Sequence, residues 1–213
     1  GASDVARLIL ASASPRRKEL LERLGVRFDL RPVEIAEDAG QSKDPEIVAR
    51  RLARAKAEAA RLEDERAPIL AADTVVALGG RIFGKPGDAG EVREMLRTLR
   101  GRTHEVVSAV VVMPLGRRSV IARQPLTQVT MREYGDDEIE ASIAEGYPLD
   151  KAGAYGIQDE LLRPVERYQG CYCNVIGLSL WAAIEALNKA GEEVDVGAAS
   201  FLPQCATCPL AHL

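Results

Sequence analysis

The sequence predicts an α/β fold built on a mixed sheet, and three stretches carry this prediction. Residues 8–10 are a short apolar run followed by a small-residue loop and a helical pattern, which is typical of a buried strand leading into a helix. Residues 69–78 are the strongest strand candidate, and a Gly-Gly pair after them predicts a hairpin. Two further strands, over 105–113 and 118–131, are expected to form an antiparallel pair.

Length and composition limit the classes of protein that this chain can belong to. Its 213 residues are enough for one domain or a close pair of lobes with a real core. The net charge of −4 and the dispersed basic residues argue against stable nucleic-acid binding. No apolar run reaches membrane-spanning length and no signal peptide precedes the first strand, so we expect a cytoplasmic protein without a membrane partner.

The first strand and helix have the chemistry of an anion site. Ser14 fits the N-cap, Pro15 the first helical position and Gly25 the residue past the end. The loop's N–H groups, the positive helix end and Arg16 and Arg17 converge there, which favours a phosphate. The alternative is a common strand–loop–helix with two solvated arginines. Cations are mildly disfavoured at a helix N-terminus, which favours an anion that offsets them.

A second strand and a second helix follow. Residues 26–30 alternate like a half-buried strand, and an acidic segment that contains Glu37 comes next. Asp44 opens a helix, on which Lys56 borders the apolar face and is expected to snorkel unless it binds a ligand. That face is predicted to consist of Val48, Leu52, Ala55 and Ala59.

Asp73 interrupts the strongest strand. A carboxylate inside an apolar strand needs a hydrogen-bonding partner, a metal or a catalytic role. A structural aspartate held by backbone groups is the alternative, and we favour a functional one. Lys85 follows on the turn after the hairpin, but the glycine spacing of a Walker loop is absent.

The middle of the chain predicts two helices and a ligand-binding loop. Residues 88–99 have a capping-box-like start, and a short helix runs through Ile139 and Ile143. His104 is expected to be a hydrogen-bonded structural residue, with general-base chemistry as the alternative. Residues 147–158 combine glycines with an acid, a base, two tyrosines and an amide, which is typical of a ligand wall.

The end of the chain predicts a strand over 170–176, a helix over 178–190 and an appended tail. The core domain is expected to span 4–191, and residues 192–213, here called the C-terminal tail, are expected to lie outside it. The tail's Cys-x-x-Cys pair supplies half of a structural zinc site, which His212 or the Cys171 and Cys173 pair would have to complete. We favour ordinary thiols over a metal or redox site.

Four separated blocks resemble the Maf family of nucleotide pyrophosphatases, in the family's order. They cover residues 12–17, 52–57, 72–76 with 84–86, and 150–158, and they read SASPRR, LARAKA, ADTVV with GKP, and DKAGAYGIQ. The resemblance runs from about Leu8 to about Leu187, and four linked blocks are far more specific than one.

This resemblance implies a two-lobed α/β protein with a central nucleotide-binding cleft, like the inosine triphosphatases. It implies a hydrolase that converts a nucleoside triphosphate to the monophosphate and pyrophosphate and cleanses the nucleotide pool. Residues 154–158 resemble the branch acting on dTTP, UTP and modified pyrimidine nucleotides. Asp159 stands where the family usually has glycine, and a longer charged stretch over 160–167 follows, which bears on base or sugar selectivity. A homodimer is also plausible from the resemblance.

The resemblance also assigns roles to individual residues. Asp73 is expected to serve the attacking water, and Glu37 and Asp73 to hold a divalent metal, Mg²⁺ or alternatively Mn²⁺. Hard cations suit these carboxylates better than zinc does. The residues implied in substrate binding are Ser12, Arg16, Arg17, Lys56, Thr74, Lys85, Lys151 and Gln158.

Two other functions remain open at this point. A nucleotide-binding regulator of cell division or septation would keep the cleft with vestigial hydrolysis, although the intact acidic positions speak against it. A pyrophosphatase of the 7-methyl-GTP branch would share the chemistry but differ at residues 154–158.

Overall fold

The computed structural model describes residues 8–35, 42–63, 65–117 and 119–211. The strands are β1 Leu8–Leu10, β2 Phe28–Leu30, β3 Ile69–Leu78, β4 Arg81–Phe83, β5 Thr103–Met113, β6 Ile121–Arg123, β7 Leu126–Met131 and β8 Val165–Gln169. The helices are α1 Pro15–Glu22, α2 Pro45–Ala60, α3 Ala89–Leu99, α4 Asp136–Ala144, α5 Tyr172–Ile176 and α6 Leu180–Ala190. Short 3₁₀ turns lie at Ala152–Ala154, Val196–Ala198 and Pro203–Thr207.

The strands form one mixed sheet in the order β2-β1-β3-β5-β7-β8, with β4 paired to β3 and β6 to β5. Strand β1 is parallel to β2 and β3, whereas the other pairs are antiparallel. The predicted mixed α/β fold is therefore confirmed. No helix within the described ranges is long and apolar enough to span a membrane.

Three apolar clusters surround the long central strands β3 and β5. Alternate β3 residues face opposite sides of the sheet, so Leu70 packs with α1 and α6 while Ala71 packs against α2. Further along β3, Val76 packs with α3 and α4 in the third cluster. The sheet can bury both faces because helices cover each of them.

Local signals place the helix ends as the sequence predicts. The Ser14 and Asp88 side chains accept hydrogen bonds from the N–H groups of Arg17 and Glu91. Asp44 caps α2 in the same way through Glu46. These caps depend only on neighbouring residues, which is why sequence reasoning finds them.

Three expectations about local structure are wrong. The strand expected over 118–131 is divided into β6 and β7, which pair with different parts of β5. Residues 172–176 form helix α5 instead of a strand, and the last strand of the sheet lies earlier, at Val165–Gln169. A short apolar run does not distinguish a buried strand from a buried helical turn. On α2, Ala59 is exposed, and Ala53 and Ala57 are buried against the sheet in its place.

The C-terminal tail packs against the core, which corrects the expectation that it lies outside. Cys205 and Cys208 are buried in the cluster formed by α1, α5 and α6. Phe201 stacks on Trp181 of α6 at 4.6 Å between ring centroids, and the Ser200 N–H donates to a carbonyl at the end of α1. The few apolar residues of the tail find a tertiary surface that no local pattern reveals.

His104 is a buried structural histidine, and this gives the protein a predictable pH dependence. Its Nε2 lies 2.7 Å from the Tyr155 hydroxyl, whereas its Nδ1 has no partner among the described residues. Burial lowers the pKa of His104 from 6.5 to about 4. Between these values only the unfolded chain takes up the proton, so stability is present above pH 6.5 and is lost as the pH falls toward 4.

We expect this effect to lower the free energy of unfolding by roughly 3 kcal/mol between pH 6.5 and 4. Urea unfolding at several pH values measures it. His104→Gln is the matched variant because the amide can bond to Tyr155 but does not titrate. An equal pH slope in both proteins would contradict the assignment.

Candidate active site

A cleft of about 720 Å³ opens where β1 ends and where β3 passes between the helices. Such a volume is typical of a site for a small-molecule ligand. Glu37 lies outside the described residues. All the other residues predicted for substrate or metal binding line this cleft: Ser12, Arg16, Arg17, Lys56, Asp73, Thr74, Lys85, Lys151 and Gln158.

The loop between β1 and α1 presents the start of a helix to the cleft. The buried Ser12 hydroxyl accepts the N–H of Ser14, and Ser14 caps the helix. This fixes the backbone of the loop at the positive end of α1. A helix start of this kind, with two arginines in its first turn, is suited to bind an anionic group.

Arg17 is held from two sides. Its Nε donates to the carbonyl of Gly177 at 2.9 Å, and its Nη2 donates to the Thr74 hydroxyl at 3.0 Å. These contacts tie α1 to the end of α5 and to β3. The guanidinium is therefore oriented before any ligand binds, which reduces the entropy lost when it forms a hydrogen bond.

Asp73 and Lys56 form an ion pair in the wall of the cleft. The Lys56 ammonium donates to the Asp73 carboxylate, and the two side chains are only 12% and 10% exposed. Asp73 points to the face of β3 that α2 covers. Lys56 therefore does not extend into solvent, as a snorkelling lysine would. Asp73 is held by a side chain and not by backbone groups alone.

The loop over 147–158 supplies one cation, Lys151, to the opposite wall. The Lys151 ammonium donates to the carbonyl of Tyr147 at 2.6 Å and lies 3.7 Å from the centroid of its ring. Asp150 accepts from both Lys151 and Arg16, the latter at 2.8 Å. Burial alone would raise the pKa of Asp150, but these two hydrogen bonds lower it. The carboxylate joins this loop to the start of α1.

Gly153 allows this loop to turn above the sheet. Its φ is +71°, and a Cβ there would lie 3.1 Å from a Val76 methyl and 3.4 Å from a Leu99 methyl. We expect Gly153→Ala to destabilise the protein by about 1–3 kcal/mol through backbone strain and crowding. Gly79→Ala is the matched control, because Gly79 also has a positive φ but open space around it. Urea unfolding of both variants should show the larger loss at Gly153.

Sequence reasoning missed a buried network behind the cleft. The Thr74 hydroxyl lies 2.7 Å from that of Ser108, and Ser108 donates to the backbone carbonyl of Asn174 at 2.6 Å. The Asn174 amide then donates to Thr127. These residues support Thr74 and Arg17, but they are far apart in the sequence and belong to no motif.

The donor groups of the cleft suit a hard cation bound together with a ligand. No group of three or more His, Cys, Asp or Glu side chains among residues 8–35, 42–63, 65–117 and 119–211 could by itself hold a metal ion. Asp73 nevertheless offers carboxylate oxygens beside cations that would attract phosphates. Mg²⁺ commonly binds through one or two carboxylates, phosphate oxygens and waters, so this donor set fits it.

Comparisons with known proteins extend over the whole cleft. The chain matches the family model "Maf-like protein" over residues 7–190. A dTTP/UTP pyrophosphatase of Thermomicrobium roseum is 49% identical over 206 residues, 96% of this chain and 94% of that protein. A dTTP/UTP pyrophosphatase of Geobacter sulfurreducens is 42% identical over 185 residues, 87% of this chain and 97% of that protein. The structure of a HAM1 protein from Coxiella burnetii aligns with a TM-score of 0.43 and 18% identity, covering 59% of this chain and 73% of that one.

Proposed function

The chain belongs to the Maf family, and from this premise we propose that it hydrolyses nucleoside triphosphates, dTTP and UTP above all, to the monophosphate and pyrophosphate. The observation that carries the proposal is a cleft that cations from four separate segments line together with a buried carboxylate, Asp73, which pairs with one of them. Hydrolysis of a phosphoanhydride needs cations on the oxygens that gain charge and a carboxylate that orients water.

The triphosphate is proposed to lie between α1 and the 147–158 loop. The N–H groups at the start of α1 and the fixed Arg17 fork bind phosphate oxygens on one side, with Arg16 beside them. Lys151 and Lys85 approach from the other side. Two of these cations, Arg16 and Lys151, now contact Asp150, and they can exchange this carboxylate for phosphate when the nucleotide enters.

Asp73 is proposed to orient and deprotonate the attacking water. Lys56 holds the carboxylate in one position and compensates its charge while no substrate is bound. Because Lys56 lines the cleft, its ammonium is also proposed to contact a phosphate oxygen when the nucleotide binds. The two residues therefore act as one unit, with the base supplied by β3 and its positioning cation by α2.

A divalent cation, Mg²⁺ in the first place and Mn²⁺ as the alternative, is proposed to bind at Asp73 together with the phosphates. When bound, it would draw charge from the phosphate oxygens and lower the pKa of a nearby water. Asp73 is one carboxylate ligand that the described residues offer. Glu37 stays a predicted second ligand.

Base selection is proposed to lie with the end of the 147–158 loop, where Ile157 and Gln158 line the cleft. Asp159, which departs from the family pattern, is buried, and its carboxylate accepts the N–H groups of Leu161 and Leu162. It closes a turn and is not among the residues that line the cleft. The departure therefore leaves the side chains typical of the dTTP and UTP branch facing the ligand.

Pyrophosphate release by the purified protein tests the proposal. With Mg²⁺, we expect the highest kcat/KM on dTTP and UTP, lower values on CTP and GTP, and loss of turnover when the metal is chelated. A preference for 7-methyl-GTP would change the branch but keep the reaction. Tight nucleotide binding without pyrophosphate release under Mg²⁺ or Mn²⁺ would refute the proposal and favour the nucleotide-binding regulator.

A further inference from the structure

All four cysteines of the chain meet in one buried cluster beneath the C-terminal tail. Cys171 and Cys173 lie at the start of α5, and Cys205 and Cys208 lie on the last 3₁₀ turn of the tail and directly after it. More than 30 residues separate the two pairs along the chain. The tertiary fold therefore brings them together, and each pair faces the other across the contact between tail and core.

Within this cluster, Cys173 and Cys205 form a distinct thiol pair. Their sulfurs lie 3.3 Å apart in a thiol–thiol hydrogen bond, and the residues are 0% and 3% exposed. The Cys171 thiol instead donates to the Ser179 hydroxyl at 3.4 Å. The contact between Cys173 and Cys205 thus joins α5 to the tail.

The two sulfurs of this pair differ in proton affinity. The hydrogen bond from Cys173 lowers the pKa of Cys205, and the positive charge of Arg23 adds to the effect. The same bond raises the pKa of Cys173. Cys205 is therefore the first of the two to become a thiolate, which is the nucleophilic form, and Cys173 keeps its proton beside it.

We propose that Cys173 and Cys205 are an oxidant-responsive modification site, at which a peroxide converts the two thiols into a disulfide that joins the tail to α5. The Cys205 thiolate attacks one peroxide oxygen, the O–O bond breaks, and a sulfenic acid and hydroxide result. The Cys173 thiol then attacks the sulfenic sulfur, the S–S bond forms, and water leaves with the thiol proton. Each sulfur loses one electron, and the peroxide is reduced to water.

The paired arrangement favours a disulfide over a metal centre. His212 lies outside the described residues, and among those residues no three cysteine, histidine or acidic side chains are arranged so that they could hold an ion. A tetrathiolate zinc site would need all four sulfurs around one point, whereas Cys173 and Cys205 need only a short approach. A small peroxide can also reach a nearly buried sulfur more easily than a bulky oxidant can.

The cross-link should tighten the tail without disturbing the cleft. The Cys173 carbonyl accepts the N–H groups of Gly177 and Leu178 at the end of α5, and Gly177 in turn holds Arg17. Because the thiols already touch, the bond forms with little movement of α5. Closing a covalent loop restricts the unfolded chain and raises the melting temperature.

Oxidation of the reduced full-length protein with hydrogen peroxide tests the proposal. After free thiols are blocked and the protein is digested with trypsin, we expect the two cysteine-containing peptides to be linked, with the loss of two hydrogens. Trypsin leaves Cys171 and Cys173 on one peptide and Cys205 and Cys208 on the other. Fragmentation of the linked species is therefore needed to assign the bond to Cys173 and Cys205.

Matched serine variants make the assignment independent of fragmentation. Cys173→Ser and Cys205→Ser should abolish the linked species, while Cys171→Ser and Cys208→Ser should keep it. The melting temperature of the wild-type protein should rise by several degrees on oxidation and return with a dithiol reductant, while pyrophosphate release stays within about twofold.

Three results would overturn the proposal. The first is that the reduced wild-type protein contains one equivalent of zinc and that any of the four serine variants has lost it. The second is a linked species that survives in Cys173→Ser or Cys205→Ser. The third is oxidation of Cys205 to a sulfinic acid without a linked species. The third result is read from the wild-type protein alone, so the proposal can be overturned even if a variant fails to fold.

Discussion

Replacement of Asp73 by asparagine is expected to lower kcat for dTTP hydrolysis on the order of 10²–10⁴-fold, because the amide cannot take a proton from water. The substitution keeps the shape of the side chain and an oxygen that can accept from Lys56. Removing a negative charge from a cleft full of cations should leave nucleotide affinity equal or higher. Pyrophosphate release and calorimetric binding of a non-hydrolysable α,β-methylene analogue of dTTP measure the two effects separately.

The proposed role of Asp73 requires that kcat falls in Asp73→Asn while nucleotide affinity is retained. Asp137→Asn on the exposed surface of α4 is the matched control, and it should turn over like the wild type. If Asp73→Asn lost binding and turnover in parallel, Asp73 would act mainly by organising the cleft through Lys56. Undiminished turnover would remove Asp73 from the mechanism altogether.

Replacement of Arg17 by alanine is expected to lower kcat/KM on the order of 10²–10³-fold, because a charge-assisted phosphate contact and two structural hydrogen bonds are lost together. The guanidinium of Arg17 now bridges the Gly177 carbonyl and the Thr74 hydroxyl. Without it, the end of α5 and the middle of β3 are no longer joined at the cleft. Steady-state kinetics with dTTP, together with urea unfolding, measure the catalytic and the structural loss.

Two further variants separate charge from geometry at this position. Arg17→Lys keeps the charge, but its single ammonium cannot span both acceptors, so most of the loss should remain. Lys18→Ala removes the next cation on α1, which makes only an exposed ion pair with Glu22, and it should leave kcat/KM unchanged. Full activity in Arg17→Lys would mean that charge alone matters there.

The predictable part of the candidate site belongs to short motifs. Arg16 and Arg17 lie in the first turn after the helix cap, so the geometry of the loop and helix fixes where they lie. Asp73 was identified because a carboxylate in an apolar strand needs an explanation. Both signals are contained in fewer than ten consecutive residues, and both residues line the cleft.

The residues that support the site could not be found in this way. Ser108 and Asn174 act by holding Thr74, and each is a common residue in an ordinary strand or helix. Asp150 was part of a recognised block, but its contact with Arg16 joins residues 134 positions apart. Contacts across such distances depend on the packing of whole elements, and no local pattern records them.

The sequence by itself determined the helix caps, the hairpin after β3 and the placement of Arg16 and Arg17 at the start of α1, because these depend on backbone chemistry within a few residues. Only the tertiary structure decided that residues 172–176 coil into α5, that the tail enters the core and that Cys173 meets Cys205. The physical reason is the same in each case. Burial against a distant surface stabilises one conformation of a short segment that its own residues leave undetermined.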